Sequence, residues 1–284
     1  MKITGFAQLR NEREKRNLED WFRCMNEVCD DIFVFDQASD DNSHEIYGRE
    51  QGENKKLKIF QSQINNFSNE VGCKSFLLKK LLEDQPDTDW ILWLDGDSFL
   101  TKGLLDYNNI RKVLSSYEDM DAVRLYHYNL WRSDTHYRMD DSYNGLNVQE
   151  DGGGGVISFW RNNGRLEFPD SGGLHTRVHP IGADKSCAID ERVKEMRGQG
   201  IIHRGFATDY QIMTKYDVYG ARGQCGWALD RLLEEGVTST SPKGLETSEI
   251  NKELLPEWYK LRGNQVPHCL KRIRKIYQEI KGII

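Results

Sequence analysis

Several things are scarce in this chain of 284 residues. The longest apolar stretch, Trp90-Ile91-Leu92-Trp93-Leu94, falls far short of the roughly 20 residues a membrane-spanning helix needs. Positive charge is not in excess. Against 39 Lys and Arg stand 45 Asp and Glu, a net charge of -6, which argues against a nucleic-acid partner. The six cysteines (Cys24, Cys29, Cys73, Cys187, Cys225 and Cys269) include no Cys-x-x-Cys pair and fit no zinc module. Free thiols are therefore expected rather than disulfides. There is no internal repeat and no low-complexity tract. The four glycines at 152–155 lack the Lys-Ser/Thr ending of a phosphate loop and read as a mobile corner. Met1 to Gly5 lead straight into a strand pattern, so no signal peptide and a cytoplasmic location are expected.

What is present alternates. Residues 3–8 form a short apolar run that ends in Arg10-Asn11-Glu12. Over 18–28, Leu18, Trp21, Phe22, Met25 and Val28 recur at helical spacing. Residues 31–36 read as a buried strand, followed by the turn-rich Ser39-Asp40-Asp41-Asn42-Ser43. A strand at 57–60, a helix at 71–82 and a strand at 90–94 complete the first third. Strands separated by helices in this rhythm predict a parallel α/β sheet covered on both faces. Later strands are expected at 122–128, 156–160 and 201–203, and helices at 209–216 and 270–284.

The sharpest motif is Asp95-Gly96-Asp97, directly after the apolar strand. In open α/β sheets, ligands bind at the carboxyl ends of the strands. Two carboxylates one residue apart repel unless a cation sits between or beside them. A hard divalent ion, Mn²⁺ or Mg²⁺, takes such oxygens together with substrate phosphates. It would neutralise a diphosphate leaving group as a Lewis acid.

These residues also carry a resemblance. Asp36-Gln37-Ala38-Ser39-Asp40-Asp41-Asn42-Ser43 resembles the nucleotide-binding turn of family-two glycosyltransferases, and the strand ending in Asp95-Gly96-Asp97 resembles their metal-binding strand. His203-Arg204-Gly205-Phe206, followed by Lys215-Tyr216, is similar to a late segment of several branches of that family. The resemblance implies a GT-A fold: a Rossmann-like mixed sheet flanked by helices. Residues 1–100 would be the nucleotide-sugar half, 101–238 the acceptor half and 239–284 a C-terminal helical extension. It implies a nucleoside-diphosphate sugar as donor, and a carbohydrate or glycolipid hydroxyl as acceptor, with inversion. Arg10, Asn11, Glu12, Asp36, Ser39, Asp40 and Asp41 would line the base and ribose pocket. Lys74, Asp95 and Gly96 would contact the nucleotide or its phosphates. Asp95, Asp97 and His203 would hold the metal.

The family's acidic pair at a helix start, which serves as base, has no clear counterpart. Asp170, His175 and Asp140 are the candidates for taking the acceptor proton. The aromatic stretch at 126–132, with Tyr137 and Arg138, suits either a sugar cleft or packing. The basic amphipathic helix at the C-terminus suits either a packed helix or a peripheral membrane contact. Two other readings stand beside the transferase. One is a nucleotidyltransferase, which would carry a glycine-rich basic loop where Arg10-Asn11-Glu12 stands. The other is a non-catalytic carbohydrate- or nucleotide-binding protein of the same fold.

Overall fold

The computed structural model describes residues 1–13, 15–53, 56–66, 69–139, 155–173, 177–219 and 247–262, with positions 275, 278, 279 and 282. The helices are α1 (Leu18–Val28), α2 (Ser43–Glu53), α3 (Glu70–Asp84), α4 (Tyr107–Ser115) and α5 (Asp209–Tyr219). The strands are β1 (Ile3–Leu9), β2 (Asp31–Asp36), β3 (Leu57–Gln61), β4 (Trp90–Trp93), β5 (Ser98–Leu100) and β6 (Ala122–Asn129). They continue with β7 (His136–Arg138), β8 (Val156–Arg161), β9 (Ser186–Ala188), β10 (Gly200–His203) and β11 (Thr247–Glu249). The fold is mixed α/β, with one large sheet flanked by helices in the Rossmann-like manner. The sheet has nine strands in the order β3-β2-β1-β4-β8-β6-β10-β5, with β9 also paired to β6.

β1, β2, β3 and β4 run parallel. β8 is antiparallel to both β4 and β6, so β6 points the same way as β4, and β10 runs parallel to β6. The carboxyl ends of six strands therefore open onto one edge, where an α/β sheet places its ligands.

Period-two alternation sets which side chain enters which layer. Along β4, Trp90 and Leu92 join the core under α1 and α4, while Ile91 and Trp93 join the core under α3. β1 does the same, with Ile3, Ala7 and Leu9 on one face and Phe6 on the other. The expected stripe of α1 is buried as Leu18, Trp21, Phe22, Met25 and Val28. A strand buried on both faces reads as a continuous apolar run, which is why β4 was so legible.

The chain from 247 to 262 forms β11 and a short 3₁₀ turn rather than a long helix, and it packs back on the first half. Trp258 donates to Glu27 at 3.0 Å and meets Phe99 edge-on, and Arg262 pairs with Asp20. The helix expected at 270–284 and residues 152–154 of the glycine run lie outside the described residues or almost so.

Candidate functional site

The turn between β4 and β5 carries Asp95-Gly96-Asp97. It is closed by Ser98 N–H donating to the Asp95 carbonyl at 3.0 Å. The buried Trp21 indole pins its start by donating to the Leu94 carbonyl at 3.2 Å. Glycine is required between the two acids. A Cβ at 96 would stand 2.5 Å from Glu12 Cγ and 2.7 Å from Leu9 Cδ2.

After the turn the chain does not stay beside β4. β5 joins the far edge of the sheet, antiparallel to β10, with Ser98 opposite His203. Arg204 N–H donates to the Asp97 carbonyl at 2.7 Å. This register brings a carboxylate from residue 97 to an imidazole from residue 203. Asp97 Oδ1 lies 3.3 Å from His203 Nε2. β10 in turn pairs with β6 so that His203 stands opposite Asn129. His203 Nδ1–H donates to Asn129 Oδ1. A ring that commits Nδ1 as donor turns the Nε2 lone pair outward, as a metal-ligating histidine does. His127 stacks on the same ring, with centroids 5.1 Å apart at 26°. Burial and the neighbouring His203 hold His127 well below the ordinary histidine range, hence neutral.

Lys215 of α5 completes the cluster. Its Nζ lies 3.2 Å from Asp97 Oδ2 and 3.3 Å from His203 Nε2. Burial alone would raise Asp97, but Lys215 and His203 outweigh it and hold the carboxyl well below the usual range. Asp95 has no such partner in contact. The residue is exposed in the turn. Desolvation by the surrounding protein, reinforced by Asp97, pushes its carboxyl up to about 6.

The chemistry of the donor set fits a divalent cation held by Asp97 and His203. Two ligands at about 2.0–2.2 Å from one ion stand roughly 3 Å apart, close to the observed Oδ1–Nε2 separation. Gly205 keeps the space beside Nε2 open, since a Cβ there would come within 2.5 Å of that nitrogen and closer still to Lys215 Nζ. Among the described residues, no three His, Cys, Asp or Glu side chains converge in metal-holding geometry. Substrate phosphate and water would have to supply the remaining ligands, an arrangement hard divalent ions accept.

The loops after β1 and β2 form a second polar cluster at the same strand edge. Asp36 is buried and already satisfied. Its carboxylate accepts from Ser39 Oγ at 2.5 Å, Ser39 N–H at 3.1 Å and Tyr47 OH at 3.0 Å. Asn11 and Asp40 pair reciprocally, with Nδ2 donating to Oδ1 at 2.6 Å and Asp40 N–H donating to Asn11 Oδ1 at 2.9 Å. Asp41 accepts from Ser43 at the start of α2, and Arg10 donates to the Gln37 carbonyl at 3.1 Å. Glu12 faces the acidic turn instead, packed on Gly96 and paired with Lys15 at 2.7 Å. The non-glycine residues with positive φ are Asn11, Arg16, Ala38, Asn42 and Arg132. All five sit in loops that leave the carboxyl ends of β1, β2 and β6. Backbone held in this region costs energy and tends to gather at functional loops.

Lys74 is buried rather than solvated. It pairs with Glu70 at 2.6 Å and lies 4.4 Å from the Trp93 ring centroid. Asp170 stands on the outer side of α3, its side chain 85% exposed and paired with Lys79 at 2.7 Å. It is not part of the Asp97 cluster. Asp140 and His175 lie outside the described residues. Tyr128 and Trp131 of the aromatic stretch are buried, and Tyr126 holds Asp190 at 2.6 Å. Sequence reasoning did not single out Asn129 and His127, and Lys215 only as part of a motif. Strand pairing sets Asn129 and His127 opposite and beside His203, and α5 sets Lys215.

No model of a known protein family matches this chain, and no curated protein matches it. Solved structures that are similar in part include the following three. One is a mannosyltransferase from Pyrobaculum calidifontis in complex with GDP-Man and Mn²⁺ (16% identity, TM-score 0.33, 44% of this chain and 35% of that one). Another is GalNAc-T7 with UDP, GalNAc and Mn²⁺ (9% identity, TM-score 0.32, 45% of this chain and 23% of that one). The third is a 4-diphosphocytidyl-2C-methyl-D-erythritol synthase from Anaerococcus prevotii (12% identity, TM-score 0.30, 59% of this chain and 66% of that one). The chain thus spans about a third and a quarter of the two transferases' lengths and two thirds of the synthase.

Proposed function

We propose that this chain is a GT-A-type glycosyltransferase that moves a sugar from a nucleoside-diphosphate sugar to an acceptor hydroxyl. The observation that carries the reading is the meeting of Asp97 with His203 at the carboxyl edge of the sheet, with Asn129 fixing the imidazole. Asp97 and His203 hold a divalent cation, Mn²⁺ or Mg²⁺, and Asp95 stands two residues away in the same turn. When bound, that ion neutralises the developing charge on a diphosphate leaving group. The loops of Arg10, Asn11, Ser39 and Asp40 form the wall for base and ribose. They supply backbone groups and loop shape, because the Asp36 carboxylate is spent on holding the loop itself. The acceptor is a carbohydrate or glycolipid, and transfer proceeds with inversion. Asp170 is the one base candidate among the described residues, and its exposed place beside Lys79 requires the acceptor to reach the outer end of α3.

The test is thermal unfolding with UDP, GDP or CDP in the presence and absence of Mn²⁺, alongside slow hydrolysis of sugar nucleotides. The reading expects a Mn²⁺-dependent rise in melting temperature with one nucleoside diphosphate. Asp97→Ala should abolish that rise and cut sugar-nucleotide turnover by about 10²–10³-fold, the scale of losing a preorganised charge-stabilising group. Nucleotide binding that ignores both Mn²⁺ and the Asp97 substitution would refute it.

A further inference from the structure

We propose that Lys215 is a tethered counter-cation, whose ammonium stands in for the divalent ion at Asp97 and His203 and must leave before that ion can bind. The proposal rests on the reading of Asp97 and His203 as a cation site.

Asp97 Oδ1 and His203 Nε2 face each other at 3.3 Å. With Nδ1 donating to Asn129, the neutral imidazole presents its Nε2 lone pair to the spot that Asp97 Oδ1 also faces, a place suited to a positive group. Lys215 Nζ provides it at 3.2 and 3.3 Å. The arrangement is built rather than incidental. Gly205 leaves the room that the ammonium and the imidazole share, and a methyl group there would collide with both. The Phe206 ring presents its face to the ammonium, with the centroid 4.7 Å away. α5 delivers the side chain from a fixed base, since Arg132 and Asp209 form a fully buried ion pair at 2.8 Å at its first residue. Ile212 and Met213 are sealed in the core on the next turn.

The side chains of Asp97, His203 and Lys215 are only 11, 12 and 18% exposed. Screening by water is therefore weak, and an ammonium and a divalent ion a few ångströms apart repel strongly. They exclude each other. Lys215 thus sets how readily the site takes up its metal, and it holds Asp97 in place in the meantime.

The experiment is a Mn²⁺ titration of the full chain, followed by electron paramagnetic resonance of the unbound ion. It compares wild type with Lys215→Met, Lys215→Gln, Lys215→Arg and Asp97→Ala. Both neutral variants should bind Mn²⁺ at least about tenfold more tightly than wild type, while Lys215→Arg should not. Without metal, the neutral variants should melt below wild type, and saturating Mn²⁺ should restore them. A merely structural lysine would not produce that rescue. Two neutral variants guard against one that fails to fold. If they bind Mn²⁺ no more tightly than wild type while Asp97→Ala still loses the ion, the counter-cation proposal falls and the cation site stands. If neither wild type nor the neutral variants bind Mn²⁺, the cation site falls with it.

Discussion

Two polar clusters share one edge of the sheet, and they are held in opposite ways. In the loops after β1 and β2, three acids are matched nearby by neutral hydroxyl, amide or backbone donors. Asp36 takes Ser39 and Tyr47, Asp41 takes Ser43, and Asp40 takes Asn11. At the β5–β10 junction the partners are charged and distant in sequence, with Asp97, His203 and Lys215 brought together by pairing and by α5. Neutral hydrogen bonds cost little to satisfy and fix a loop's shape before any ligand arrives. Buried charges hold only while their opposite is present, so one cation can be exchanged for another. On the proposed reading, the first cluster is a preshaped wall and the second a site with a replaceable centre.

The contrast predicts effects that separate the clusters. After the loss of Asp97, the largest effect should come from Asn129→Leu, which removes the group that orients His203. Mn²⁺ affinity should fall by about 10–100-fold, the usual result of deleting the partner behind a metal-ligating histidine, with nucleotide-loop geometry unchanged. Calorimetric titration with Mn²⁺ reads this directly, and an unchanged affinity would mean that His203 needs no orienting partner. Tyr47→Phe should act on the other cluster alone. Losing one buried hydrogen bond to Asp36 should cost about 1 kcal/mol of stability in urea unfolding and weaken nucleoside diphosphate binding a few-fold. Mn²⁺ affinity should stay as in wild type, so a parallel loss of metal would erase the distinction between the two clusters. The smallest stability effect belongs to Asp170→Asn. Its partner Lys79 is exposed, and surface pairs of this kind contribute little, so the melting temperature should not move. A fall in transfer rate in that variant, without a change in stability, would identify Asp170 as the base.

Much of the architecture was legible along the chain, for physical reasons that differ by element. The α1 stripe of Leu18, Trp21, Phe22, Met25 and Val28 shows because a surface helix must bury one face. β4 shows because a central strand buries both. The helix from 209 and the strand at 201–203 were likewise readable. β5 was not. It has three residues, follows the acidic turn at once and draws its identity from pairing with β10. Lys74 was also misleading locally. A lysine on an amphipathic helix is normally solvated, but here Glu70, the Arg177 carbonyl and the Trp93 ring enclose it. The domain boundary expected at 238 lies outside the described residues.

By itself the sequence determined the α/β class, the position of the acidic turn after an apolar strand and the polar loops around it. These depend on periodicity and on neighbours within a few residues. Tertiary structure alone decided that Asp97 faces His203, that Asn129 and His127 hold the ring, and that Lys215 fills the space Gly205 leaves. Those contacts join positions 10 to 106 residues apart through strand register and helix placement, which no local pattern encodes.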